Sequence, residues 1–313
     1  MKKTGKMKSE LLLFLTALVW GAAFVAQSVG GDAIGCLTFN GGRFLIGGLV
    51  LIPVILIMDQ QKKKEMGKEC FSKWKKEHRD WIPGGISCGL MLCIASNIQQ
   101  VGISMTTVGK AGFITAMYIL IVPILGIFMK KKAGWKMWTG VLLAMAGLYL
   151  LCMTSESFSL SRGDFLILIS SFFFAIHIMI IDHYSPKCDG VRMSCVQFLV
   201  CGVFSAIMAF VFETPTVSGI MQGWIPLLYA GVLSCGLGYT LQIIGQKHTD
   251  PTVASLILSL ESVFSVIAGW LILRETLSGR EFFGCALMLA AIMLAQMPER
   301  SECKNMVCQA EFE

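Results

Sequence analysis

Charge is what this chain has least of. Only 15% of its 313 residues are charged, while 55% are hydrophobic. A soluble globular domain carries about 25% charged residues, so this composition excludes an ordinary soluble globule. The apolar surface left over must face lipid. Histidine is also scarce, with four residues, none of them in an H-E-x-x-H zinc motif. No glycine-rich phosphate loop ends in Gly-Lys-Ser/Thr, which excludes an ATP engine within the chain. Twelve cysteines are present without a single C-x-x-C pair. Cys88, Cys93, Cys152, Cys195, Cys201, Cys235 and Cys285 lie in apolar runs and read as small hydrophobes at helix contacts. Cys303 and Cys308 fall in the tail, as free thiols or acylation sites. Neither a metal nor a cofactor is expected. Alternating ten-residue segments, the mark of a membrane β-barrel, are absent as well.

What is present is a series of long apolar stretches. They cover approximately 10–28, 34–57, 81–101, 109–129, 135–152, 163–182, 190–211, 224–245, 251–273 and 280–297. About 20 apolar residues cross ~30 Å of hydrocarbon as a helix, and a helix satisfies every backbone amide internally. The reading is an all-α membrane protein of about ten transmembrane helices. The basic N-terminus before the first run reads as a retained first helix rather than a cleaved leader. The longest connection, about 58–80, is expected as a solvated amphipathic or irregular linker, or as an anchor for anionic lipid.

Basic residues fall almost entirely on one side of this layout. With ten spans and a cytoplasmic N-terminus, twenty-one lysines and arginines lie in cytoplasmic segments. Four lie opposite: Lys110, Arg162, Arg274 and Arg280. Arg43 sits inside a span. This is the positive-inside pattern. It accounts for the net charge of +6 without a nucleic-acid partner and predicts a multi-pass cell-membrane protein with both termini cytoplasmic.

The chain also repeats itself. Trp81-Ile82-Pro83 recurs as Trp224-Ile225-Pro226, an offset of 143 that also relates Gln99 to Gln242, Gly102 to Gly245, Thr106 to Thr249 and Ala111 to Ala254. An offset of 144 relates Lys130 to Arg274 and Gly140 to Gly284. Near the start the offset is 154, relating Phe44 to Phe198 and Arg43 to Gln197. The halves are 10–152 and 163–297, followed by a cytoplasmic tail over 298–313. Five spans per half is an odd number, so the second half enters from the opposite side. Two inverted five-helix repeats can exchange conformations, which favours alternating access.

These residues resemble the EamA-type members of the drug/metabolite transporter superfamily. Trp20-Gly21-Ala22-Ala23-Phe24 is similar to the family's W-G-x-x-F, and Arg43-Phe44 to its R-F in the second span. The Ser259-Leu260-Glu261 run is similar to its S-L-E-P, with Ser262 in place of the proline. Glu275 matches a second acid, with Arg274 where a glycine is usual, and Lys130-Lys131-Lys132 stand where the first half often has an acid. The resemblance covers about residues 10–297. It implies a non-enzymatic secondary carrier, exporting or exchanging a small metabolite such as an amino acid through a central cavity between the halves.

An ionisable group at bilayer depth costs at least ~2.5 kcal/mol on insertion scales. It needs a partner, a wet cavity or neutralisation. Glu261, near the middle of the ninth stretch, reads as a cavity acid that binds a substrate ammonium or carries a proton. Its alternative is a hydrogen-bonded packing residue. Arg43 suits a substrate carboxylate; the alternatives are an ion pair with Glu261 or contact with backbone carbonyls. Asn97, Gln99 and Gln100, with Gln242 and Gln246, either line the path or tie helices together. His177 is a candidate proton relay or a packing residue. Trp20 and Tyr118 line a cavity or belong to the core. Pro123 is a candidate hinge or a static bend. Arg274 and Glu275 are expected as an interfacial pair. An integral membrane enzyme on lipid-linked substrates would need a polar catalytic cluster at headgroup level, and none is visible. The other alternative, a non-transporting scaffold or receptor, would carry large soluble regions or tolerate cavity mutations, and the loops are too short for the first.

Overall fold

A computed structural model describes residues 2–67, 70–71, 79–106, 108–129, 134–152, 161–273 and 279–296. Among these residues every regular element is helical. The helices are α1 (Lys2–Ile34), α2 (Cys36–Met66), α3 (Trp81–Ile103), α4 (Val108–Thr115), α5 (Tyr118–Phe128), α6 (Trp135–Cys152), α7 (Arg162–Tyr184) and α8 (Gly190–Phe212). They continue with a short α9 (Val217–Gln222), α10 (Trp224–Leu228), a π-helix (Tyr229–Tyr239), α11 (Thr240–Gln246), α12 (Pro251–Leu258), α13 (Glu261–Leu273) and α14 (Gly279–Gln296). Among the described residues, 8 helical segments are long and apolar enough to cross a membrane. Two further helices, α6 and α14, are 18 residues each and pack against one another. Large apolar side chains such as Leu49, Phe204, Phe210 and Leu271 project outward. On a soluble protein that surface would be an aggregation hazard; on a multi-pass membrane protein it is the lipid face.

The linker expected over 58–80 begins later than the sequence suggested. Helix α2 runs on through Lys62, Lys63 and Lys64 to Met66. Straight-chain lysines, glutamines and Glu65 are good helix formers, and Lys63 and Lys64 suit a helix C-terminus, where the dipole is negative. Lys68, Lys73, Lys75, Lys76, Lys130–Lys132, Arg274, Glu275 and the tail lie outside the described residues.

Helix ends are fixed by side chains that the sequence places at caps. Ser161 and Asp164 form a reciprocal capping box on α7, Asp189 caps α8, and Asp250 with Pro251 starts α12. Helix α2 differs. Its N-cap is Gly35, at φ 103, which makes the one-residue turn from α1 and has no side chain to cap with. Glu213, at the end of α8, supplies the cap from another helix. Its carboxylate accepts from Leu37 N, Thr38 N and Thr38 Oγ1 at 2.8, 2.8 and 2.6 Å. At the other end of the same helix pair Arg192 bonds Asp59, and Lys62 lies 3.5 Å from Asp189. Helices α2 and α8 therefore run antiparallel and are tied at both ends.

Small residues let these helices approach closely. A methyl group added at Gly48 would lie 2.9 Å from Leu199 Cδ2, and one at Gly202 would lie 2.9 Å from Leu45 Cδ2. At Gly102 it would meet Ile167 and the Gly163 carbonyl; at Gly245 it would meet Leu13 and the Ser9 carbonyl. At Gly21 it would lie 2.8 Å from the Glu261 carbonyl oxygen and 2.3 Å from Phe264 Cβ. That last contact sets Trp20 beside the start of α13.

Two rods are broken in mid-course. The first is interrupted at Ala116–Met117, between α4 and α5, and the second at Ser259–Leu260, between α12 and α13. Pro123 is not at a break: it lies inside α5, buried, more than a turn beyond the interruption.

Candidate functional site

The broken helices, the π-helix, the first three helices and α7 surround a small cavity of about 30 Å³. Its walls include Trp20, Arg43, Gln99, Tyr118 and Glu261, five candidates that the sequence supplies from five separate helices. Phe24, Gln27, Thr115, Phe174, Ser234 and Tyr239 complete it.

Each polar wall residue is held by a particular bond. Tyr118 and Glu261 are the first residues after the two helix breaks, and Tyr118 Oη donates to Glu261 Oε1 at 3.0 Å. The carboxylate is thus anchored at one oxygen, 3% exposed, at the cavity wall. Gln99 Nε2 donates to Thr115 Oγ1 at 3.0 Å, joining α3 to α4. Trp20 Nε1 donates to the Ser234 carbonyl at 3.2 Å, and the indole packs on Tyr239 with ring centroids 4.4 Å apart. Ser234 and Tyr239 belong to the π-helix, a form that widens the turn and collects at functional sites.

Arg43 does not pair with Glu261; among the described residues no acid lies within ion-pairing distance of it. Its Nε donates to Asn40 Oδ1 at 2.8 Å, its guanidinium carbon lies 4.8 Å from the centre of the Phe44 ring, and its Nη2 has no partner.

The remaining candidates lie elsewhere. Asn97 is behind the Arg43 side of the wall, bonded to Asn40, to the Cys93 carbonyl and to Ser205. His177 meets Gln197 through Nε2 at 3.1 Å and stands edge-on to Tyr239, so it sits one residue removed from the cavity. Gln242 is 1% exposed and is not among the cavity walls. Gln100 and Gln246 tie helices together, donating to the carbonyls of Gln27 and Ile178. Pro123 is remote from the interruption that shapes the site. Gly85-Ile86-Ser87-Cys88-Gly89 has the G-x-S-x-G spacing of a nucleophile elbow, but it lies within α3 rather than on a strand-to-helix turn. Among the described residues no three His, Cys, Asp or Glu side chains converge as a metal site.

The model of the EamA-like transporter family matches residues 7–153 and again 161–297. The chain belongs to this family. An uncharacterized transporter of Archaeoglobus fulgidus is 29% identical over 293 residues, covering 93% of this chain and 87% of that protein. The uncharacterized transporter YoaV of Bacillus subtilis is 23% identical, covering 92% and 96%. A solved structure superposes with a TM-score of 0.72 at 18% identity, over 92% of this chain and 96% of that one. At that identity the likeness shows the fold alone. The EamA-like chain is therefore a multi-helix membrane transporter of small molecules, and the cavity that Arg43 and Glu261 line is its candidate path.

Proposed function

We propose that this transporter is a secondary carrier of a small polar metabolite, working by alternating access between two inverted five-helix halves with both termini cytoplasmic. The observation that carries the reading is the convergence of Trp20, Arg43, Gln99, Tyr118 and Glu261, from five helices, on one cavity. A packing acid would sit in a dry core. Glu261 instead stands at the wall of a cavity that Arg43 also lines, where a substrate can exchange with its partners.

The inverted repeat is supported by contacts that come in matched pairs. Glycines 48 and 202 are 154 apart, as are the leucines 45 and 199 that they touch in exchange. The pair Glu213 with Thr38 and the pair Asp59 with Arg192 are related by the same offset, at opposite ends of α2 and α8. Tyr118 and Glu261 are separated by 143, the offset of the Trp-Ile-Pro repeat, and so are the two helix breaks. The family model also matches twice, once in each half. Helices α6 and α14 bring the eight described spans to the ten that an inverted pair of five requires.

The cavity lies toward the face where α1 and α3 end, since Gln27 and Gln99 sit near those ends. Toward the other face the path is closed by Leu13 against Gly245 and by Thr16 Oγ1 donating to the Gly238 carbonyl at 3.1 Å. With a cytoplasmic N-terminus the cavity lies nearer the outer face of the membrane. In the return step Glu261 gives up the Tyr118 bond to whatever cation or proton accompanies the substrate.

The test is counterflow in liposomes across a panel of amino acids, nucleosides and organic cations. Saturable uptake of at least one compound, reduced by 10²-fold or more in folded Glu261→Gln, is expected. That loss corresponds to about 2.7 kcal/mol, within reach of a desolvated charge that loses its partner. Full activity in Glu261→Gln would remove the acid from the mechanism.

A further inference from the structure

The Arg43 side of the cavity carries a feature that the carrier reading does not explain. A guanidinium that is 1% exposed has an Nη2 without a hydrogen-bond partner. Such an atom costs free energy unless something arrives to meet it. The rest of the group is held firmly. Arg43 Nε donates to Asn40 Oδ1 at 2.8 Å. The Asn40 amide is oriented by its own donations, to Ser96 Oγ at 3.0 Å and to Asn97 Oδ1 at 2.8 Å. Asn97 is fixed in turn by donating to the Cys93 carbonyl and to Ser205 Oγ, each at 2.8 Å. This relay runs through α2, α3 and α8, and all of its members are buried. It contains no negative charge. The network therefore orients the cation without neutralising it, which distinguishes a prepared binding group from a structural ion pair.

We propose that Arg43 forms an anion subsite that receives a single carboxylate group of the transported molecule, and that Asn40 is the residue that positions it. This rests on the carrier reading only for the word transported. A carboxylate is favoured over a dianion because Arg43 is the single cation among the cavity's lining residues. A carboxylate also matches the planar edge of the guanidinium.

The probe is acetate, small enough to enter without knowledge of the full substrate. The thermal midpoint of the detergent-purified full chain is measured in sodium acetate and in acetamide with sodium chloride, at equal ionic strength. Acetate should raise the midpoint of the wild type saturably, beyond the acetamide control. In Arg43→Gln the half-saturating concentration should rise about tenfold or more, the loss of one charge-assisted hydrogen bond. Asn40→Ala, which keeps the cation and frees it to move, should weaken acetate several-fold, and Arg43→Lys should fall between wild type and Arg43→Gln. If Arg43→Gln does not yield folded protein, Arg43→Lys and Asn40→Ala carry the comparison. An acetate response that is absent from the wild type, or equal in wild type and variants, overturns the proposal. Acetate binding without counterflow of any compound would leave the subsite standing and sink the carrier reading. Counterflow that ignores replacement of carboxylate by carboxamide would do the reverse.

Discussion

Among single residues, the ones that matter most are those whose chemistry is out of place in hydrocarbon. Arg43 and Glu261 are visible in the sequence because a charge within an apolar run is costly and needs a reason. Trp20 is visible because it opens a motif whose glycine touches the Glu261 backbone. Gln27, Thr115 and Ser234 are equally part of the cavity, yet uncharged polar residues occur on many buried helix faces and nothing in their spacing distinguishes them. Glu213 was invisible for another reason. It looks like an ordinary interfacial acid after an apolar run, and its role depends on Gly35, 178 positions earlier, having no side chain to cap α2. Glu213→Ala should therefore destabilise the protein by about 1–3 kcal/mol, the range for hydrogen bonds to a charged acceptor. Thermal unfolding in detergent checks this. The conservative Glu213→Gln, which keeps one acceptor oxygen, should lose less.

Whole elements were legible where hydrophobicity decides and illegible where geometry does. The apolar stretches mark the helices because lipid leaves the backbone no other way to satisfy its amides. Their interruptions are another matter. Proline is the usual signal for a break, yet Pro123 is accommodated within α5 and the chain breaks at Ala116–Met117, where no residue announces it. The π-helix over Tyr229–Tyr239 is likewise announced by no residue, and two of its glycines, 231 and 238, lie close against Ile46 and Trp20. Of the two readings of the lysine-rich segment, amphipathic or irregular, the helix favours the first as far as Met66, because lysine, glutamine and glutamate are good helix formers. The helix contacts themselves are testable. Gly202→Ala places a methyl 2.9 Å from Leu45 side-chain and backbone atoms. Overpacking of this kind costs about 1–3 kcal/mol, so the folded fraction and thermal midpoint should fall. Gly5→Ala meets nothing within 4 Å and, with alanine the better helix former, should lower neither.

For the whole molecule, the central claim is that two similar halves enclose one site and expose it to each face in turn. The matched contacts at glycines 48 and 202, and at the two ends of α2 and α8, give the halves a common frame. The unlike residues Tyr118 and Glu261, at corresponding positions, give the two broken rods a shared joint. On this proposal the sequence offset and the matched contacts share one cause, since packing between inverted copies would constrain the same positions in both. The most direct measurement places a single cysteine at Thr115, a cavity wall residue, in a variant lacking the twelve native cysteines. A membrane-impermeant thiol reagent is then applied to one side or the other of sealed, oriented vesicles. Alternating access predicts labelling from either face, with protection by a transported compound and a shift in the ratio of the two rates. Labelling from one face alone under every condition, at a rate no compound alters, would contradict the account.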